Sequence, residues 1–246
     1  MLSFLKSHPF AVETFFESSL VLTYAVLKEE LTAFIPECLE LDLFEDKWAF
    51  IAVAMVKTKK LRPKGFPSFM GHDFLLTGYR IFVRYTTSEG KSLRGLYILR
   101  SETDKKKMAF LGNVFTHYNY STTDIDFSNS RSIITVQSDK SDLDIKVNLE
   151  NEDAVLPPSS PFHNWKEARR FAGPLPFTFT YNTATKKVLI IEGVRENWIP
   201  RPVEVMHSNV GFIKQFGLKE IVLANAFLLQ NIPYYWKKGK IDLWKG

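Results

Sequence analysis

The chain has one cysteine, Cys38, so it cannot form an intrachain disulfide, and a cysteine-based zinc site is excluded as well. It has no long hydrophobic run. The longest clean apolar stretch, Trp48–Val56, is about half of the ~20 residues that a spanning helix needs. The first ten residues carry Lys6, His8 and Pro9 in place of the apolar core of a secretory signal, so a cytoplasmic protein with no membrane association is expected. The glycines are isolated, and no phosphate-cradling glycine loop and no Gly-x-Ser-x-Gly elbow occurs. None of the five histidines (His8, His72, His117, His163, His207) pairs with another at the spacing of a metal site, so no metal and no cofactor is expected. Charge of one sign is also scarce. The net charge is +5 over 246 residues, and the densest basic run (Lys57, Lys59, Lys60, Arg62, Lys64) reads as a solvated strand end, so nucleic acid is not an expected partner.

What the chain does have is aromatic and β-branched sequence: 21 Phe, 9 Tyr and 5 Trp among 45% hydrophobic residues. The pattern predicts strands over Lys47–Lys57, Phe74–Tyr85, Leu93–Arg100, Val114–Phe127, Ser132–Ser138, Leu143–Leu149, Phe177–Asn182, Lys187–Val194, Val203–Ser208 and Glu220–Leu229. Short helices are expected over Ala11–Ser18, Lys28–Ile35, Thr103–Phe110 and part of Phe162–Phe171. Many strands, few helices and no strand–helix alternation argue for a β-rich α+β fold with a mostly antiparallel sheet. A single domain over residues 1–246 is expected, and the acidic, then proline-rich segment 150–161 is its best linker candidate.

Candidate chemistry rests on arginines inside apolar strands. Arg80, Phe82 and Arg84 share one face by alternation, and so do Arg94, Leu96, Ile98 and Arg100. An arginine in such a place is paired, or it faces a wet cavity and can hold a carboxylate or phosphate bidentately. His117 lies in Thr116-His117-Tyr118-Asn119-Tyr120, where alternation puts Tyr118 and Tyr120 on one face. Cys38 reads as a small buried apolar residue, and Lys105-Lys106-Lys107 as an exposed turn.

An ordered set of segments carries a resemblance: Phe34–Phe44 followed by Trp48-Ala49-Phe50, Leu61-Arg62-Pro63 through Pro67, Phe74–Val83 around Arg80, Gly95–Glu102, Phe115–Tyr120, and Phe171-Ala172-Gly173-Pro174-Leu175-Pro176. The chain resembles the YqjF-like family of uncharacterised conserved bacterial proteins, which is similar in fold to acetoacetate decarboxylase. The resemblance implies a β-barrel or cone with a small central cavity. In acetoacetate decarboxylase that cavity holds a Schiff-base lysine; the matching position here is Tyr118, and a phenol cannot form an imine. The family's acidic and amide positions on the Arg80 strand fall on Leu76 and Gly78. The resemblance implies a pocket lined by Arg80, Arg100, Glu102, His117 and Tyr118, with Arg80, Arg100 and Tyr97 binding the ligand and His117, Tyr118 or Glu102 serving any catalysis. Two readings follow. One is a pocket for a small anionic, carboxylate-type ligand, in a divergent enzyme or a binding protein. The other is a non-catalytic interaction module, self-associating through exposed strands, in which the inherited cavity is filled.

Overall fold

The run from Ala49 to Val56 is buried at every position, and it lies in a strand covered on both faces. The computed structural model of the chain describes residues 5–150, 154–173 and 175–245. In chain order its regular elements are β1 (Val12–Leu27), α1 (Lys28–Leu31), β2 (Glu40–Leu41), β3 (Trp48–Pro63), β4 (His72–Thr86), β5 (Ser92–Thr103), α2 (Lys106–Phe115), β6 (Tyr120–Thr122), β7 (Asp126–Ser130), β8 (Ile133–Ser138) and β9 (Leu143–Asn148). There follow α3 (Trp165–Phe171), β10 (Phe177–Asn182), β11 (Lys187–Arg195), β12 (Arg201–Pro202), β13 (Glu204–Val210), α4 (Gly211–Lys214), β14 (Ile221–Trp236) and β15 (Lys240–Leu243). The expected β-rich α+β class is observed.

The larger sheet runs β14-β1-β3-β4-β5-β10-β11, and a further pairing of β11 with β14 closes it into a ring. Closure satisfies the backbone groups that an open edge would leave exposed. All ring pairings are antiparallel except β5 with β10. The alternate residues of β1, β3 and β4 then have two destinations. Leu20 and Leu22, Ile51 and Val53, Tyr79 and Ile81 point outward and pack against a second sheet, β13-β9-β8-β7, through Ile134, Val136, Ile145 and Val147. Each of these fully buried aliphatic side chains contributes roughly 1.5–3 kcal/mol. The other set (Val21, Ala25; Phe50, Ala52, Ala54; Leu76, Phe82) points into the ring. Cys38 is buried with the outward-facing core, and burial pushes its thiol pKa up to about 11.

Two sequence expectations need correction. Ala11–Ser18 is strand and not helix: Val12 to Ser18 pairs with β14 on one side and β3 on the other, and two ladders override the local pattern. Val114–Phe127 is not one strand, because α2 continues to Phe115 and the chain then turns through Asn119 at φ 50° into the short β6. The linker candidate lies partly outside the described residues, at 151–153. Its remainder is irregular but tied down: Ala154 is buried and its carbonyl accepts the Trp165 indole N–H.

Candidate functional site

The ring does not fill its interior. A cavity of about 430 Å³ lies inside it, walled mostly by apolar residues, Phe and Leu foremost. Among the described residues its lining contains no lysine, aspartate or glutamate. Its polar lining comes from separate walls and includes Arg80 on β4, Thr178 on β10, Arg195 on β11, Tyr234 on β14, and Tyr118 and Tyr120 at the entry to β6; His8, His72 and the Glu13-paired Arg62 line it as well.

Arg80 is the central feature. Its guanidinium lies deep in the molecule, and its remaining exposure is where it borders the cavity. It makes no hydrogen bond or ion pair among the described residues, and Nε is buried without a partner. Burial lowers its pKa and the neighbouring phenols of Tyr234, Tyr120 and Tyr118 oppose that shift, but a guanidinium remains a cation in either case. The strand makes room for it. A Cβ on Gly78 would stand 2.9 Å from Arg80 Nη2, so the guanidinium lies back along β4 over a position with no side chain.

The inward arginines nearer the other end of β4 differ. Arg84 Nε donates to Asp42 Oδ1 at 2.6 Å and Arg94 Nε donates to Oδ2 at 2.7 Å, with the Asp42 side chain 0% exposed. Arg94 also stacks on Phe171, 4.9 Å from the ring centroid, and donates to its carbonyl. These two cations have a structural carboxylate. Arg80, two turns of the same alternation away, has none.

On the facing wall, Arg195 and Tyr234 are direct register partners where β11 meets β14. Tyr234 leans closely over Gly193, at the point where any Cβ would collide with its phenol. Arg195 stacks on Trp198 at 4.1 Å and donates to the Leu175 carbonyl at 3.3 Å. Tyr118 shares a 2.7 Å hydrogen bond with Thr178. Burial raises the pKa of all three phenols, that of Tyr120 to about 12, so each holds its proton at neutral pH and can donate it in a hydrogen bond.

The structure brings only Arg80 and Tyr118 of the anticipated residues to this cavity. Arg100 and Glu102 lie on the outer face of β5. The register explains why: Tyr79 pairs with Arg100 but Arg80 pairs with Ile98, so Leu99 is an extra residue in β5 that reverses the alternation beyond it. Leu96 and Ile98 face the cavity, whereas Arg100 bonds to Glu102 at 2.9 Å and lies 5.4 Å from the Phe212 ring centroid. Glu102, 1% exposed, also accepts from the Tyr79 hydroxyl. Tyr97 packs on the outward core beside Cys38. His117 lies on the surface between α2 and β6, where partial desolvation and then nearby Lys6 lower its pKa. Sequence reasoning missed Arg195, Thr178 and Tyr234. Their signal was present as the set Leu189, Ile191, Gly193, Arg195 in β11, but its facing depended on ring closure.

The sequence profile described as an uncharacterized conserved protein, DUF2071, matches residues 15–228. The chain belongs to the DUF2071 family. No curated protein matches this DUF2071 chain by sequence. Among solved structures, acetoacetate decarboxylase from Legionella pneumophila is similar, with 11% identity, TM-score 0.60, and 95% of this chain and 87% of that one covered. An acetoacetate decarboxylase-like enzyme from Sphingomonas wittichii covers 96% and is itself covered over 94%, with 9% identity and TM-score 0.58. The enduracididine biosynthesis enzyme MppR, complexed with the condensation product of pyruvate and imidazole 4-carboxaldehyde, is 10% identical, with TM-score 0.56 and 95% and 89% of the two chains covered. At these identities the likeness establishes the fold of this DUF2071 protein and nothing of its chemistry.

Proposed function

We propose that this DUF2071 protein binds a small organic anion of the carboxylate type inside the ring. The observation that carries the reading is Arg80: a buried guanidinium beside a cavity, with an unpartnered Nε and no carboxylate among the described lining residues. A charge kept out of water without a counterion is unfavourable by several kcal/mol unless something else supplies the counterion. The apolar lining suits the body of the ligand, and the few convergent polar groups suit its head. Tyr118, Tyr120 and Tyr234 supply hydrogen-bond donors with protons firmly held. Among the described lining residues there is no lysine for an imine, so the reading rests on binding and orientation of the anion. The fold relatives include acetoacetate decarboxylase and a pyruvate-derived complex, which is in keeping with carboxylate ligands in this architecture. The open cavity favours this reading over an interaction module with a filled core.

Intact mass spectrometry of the freshly purified protein, native against denatured, tests it. An acidic small molecule that leaves on denaturation, or a mass shift on adding a carboxylate library that Arg80→Met abolishes, is the expected result. A ligand-free mass unchanged by every carboxylate offered would overturn the reading.

A further inference from the structure

Around the ring, β4 is three strands from β11 in one direction (β5, β10, β11) and three from β14 in the other (β3, β1, β14). Arg80 and the Arg195–Tyr234 pair therefore stand on opposite walls of one cavity. Three arginines line that space; Arg62 is paired with Glu13 at 2.8 Å, and no carboxylate among the described lining residues balances Arg80 or Arg195. The Arg195 end also has an orphan donor. Trp198, which stacks under the Arg195 guanidinium and lines the cavity, has its indole N–H buried with no acceptor. The Arg80 end has its own, in Nε. Each wall thus offers a cation and an unused N–H, and the Arg80 charge contributes to lowering the Arg195 pKa after burial, so the two guanidiniums lie within electrostatic reach of each other.

We propose that the ligand is a dicarboxylate with an apolar spine, one carboxylate held by Arg80 and the other by Arg195 and the Trp198 indole. The proposal rests on the anion-binding reading of the same cavity and extends it to a second recognition point. A monocarboxylate leaves one guanidinium and one N–H unsatisfied in a poorly hydrated site, whereas a dicarboxylate satisfies both ends. Two charges on facing walls also select for length, since a spine too short for the gap reaches only one of them.

Calorimetric titration with chain-matched acids tests this: the straight-chain dicarboxylates from succinate to suberate, each against the monocarboxylate of equal carbon number. The expected result is at least one length at which the dicarboxylate binds about tenfold or more tighter, the lower bound for one added charge-assisted contact. Arg195→Met should erase that preference, and Arg195→Lys should retain part of it because the charge remains. Dichroism and native mass establish that the variants are folded; if Arg195→Met is not, Arg195→Lys and the wild-type ratio carry the decision. Monocarboxylates binding as tightly as dicarboxylates at every length would overturn the dicarboxylate assignment and leave the anion site standing. No binding of either series to the wild type would overturn both.

Discussion

Arg80→Met should stabilise the empty protein while removing its ligand response. In the wild type the guanidinium has an orphaned Nε and no carboxylate partner among the described residues. Methionine has a similar unbranched reach, fits over Gly78, and adds apolar surface to a wall already made by Leu76, Phe82, Leu96 and Ile98. An unpaired ion in a dry interior is disfavoured by several kcal/mol, and the water-sized space beside Arg80 lowers that figure, so we take the relief as about 2 kcal/mol. For a chain of this length 1 kcal/mol moves the melting temperature by roughly 2–4 °C, which gives a rise of about 4–8 °C. Differential scanning fluorimetry without ligand reads it directly, and a repeat at saturating carboxylate should shift the wild type and not the variant. A variant that melts at or below the wild type would refute the reasoning, because it would mean that Arg80 is already satisfied by the fold.

Asp42→Asn is the opposite case. Asp42 is fully buried between Arg84 and Arg94, whose side chains keep 41% and 32% exposure, so both cations can turn toward water once the carboxylate is gone. The expected loss is about 3 kcal/mol, the low end for breaking a buried pair, read as a fall in the urea midpoint. His8, 6% exposed and at the cavity wall, has its pKa lowered by burial. The unfolded chain then binds more protons than the folded one below pH ~6.5, so stability should fall as pH drops from about 6.5 toward the lowered native value. His8→Asn, which tolerates the local φ of 53°, should flatten that part of the profile in urea midpoints measured between pH 7.5 and 5.5; an unchanged slope would exclude His8 as its source.

Much of the fold was legible in the sequence, because β3, β4, β5 and the β10–β11 hairpin have long β-rich runs with turn residues between them. The early part of β1 was not legible. Its sequence does not favour a strand, and its conformation is imposed by β14, more than two hundred residues away in the chain. The site was half legible for a related reason. Alternation carries Arg80 to the interior, and the same rule fails for Arg100 because one extra residue, Leu99, reverses the faces of β5. Nothing in the local sequence marks that bulge. Arg195 and Tyr234 acquire a common face only when the ring closes, which is a property of the whole sheet.

The ring is not equally strong around its circumference. β1 and β14 are joined over fourteen register pairs, whereas the β10–β11 hairpin is joined into the ring by three on the β5 side and three on the β14 side, with four more pairs from β11 to the outlying β15. That hairpin is the panel with the shortest seams, and it carries both Thr178 and Arg195. Local opening follows the least-supported segment, so exchange of its amides should outpace that of β1, β3 and β4. An occupant gripped by Arg80 on the rigid wall and by Arg195 on the panel acts as a rivet across the weak seams. Occupancy of the cavity and closure of the ring then become one equilibrium, and slowed exchange at Gly193–Arg195 would register the presence of a ligand far from any reporter on the ligand itself.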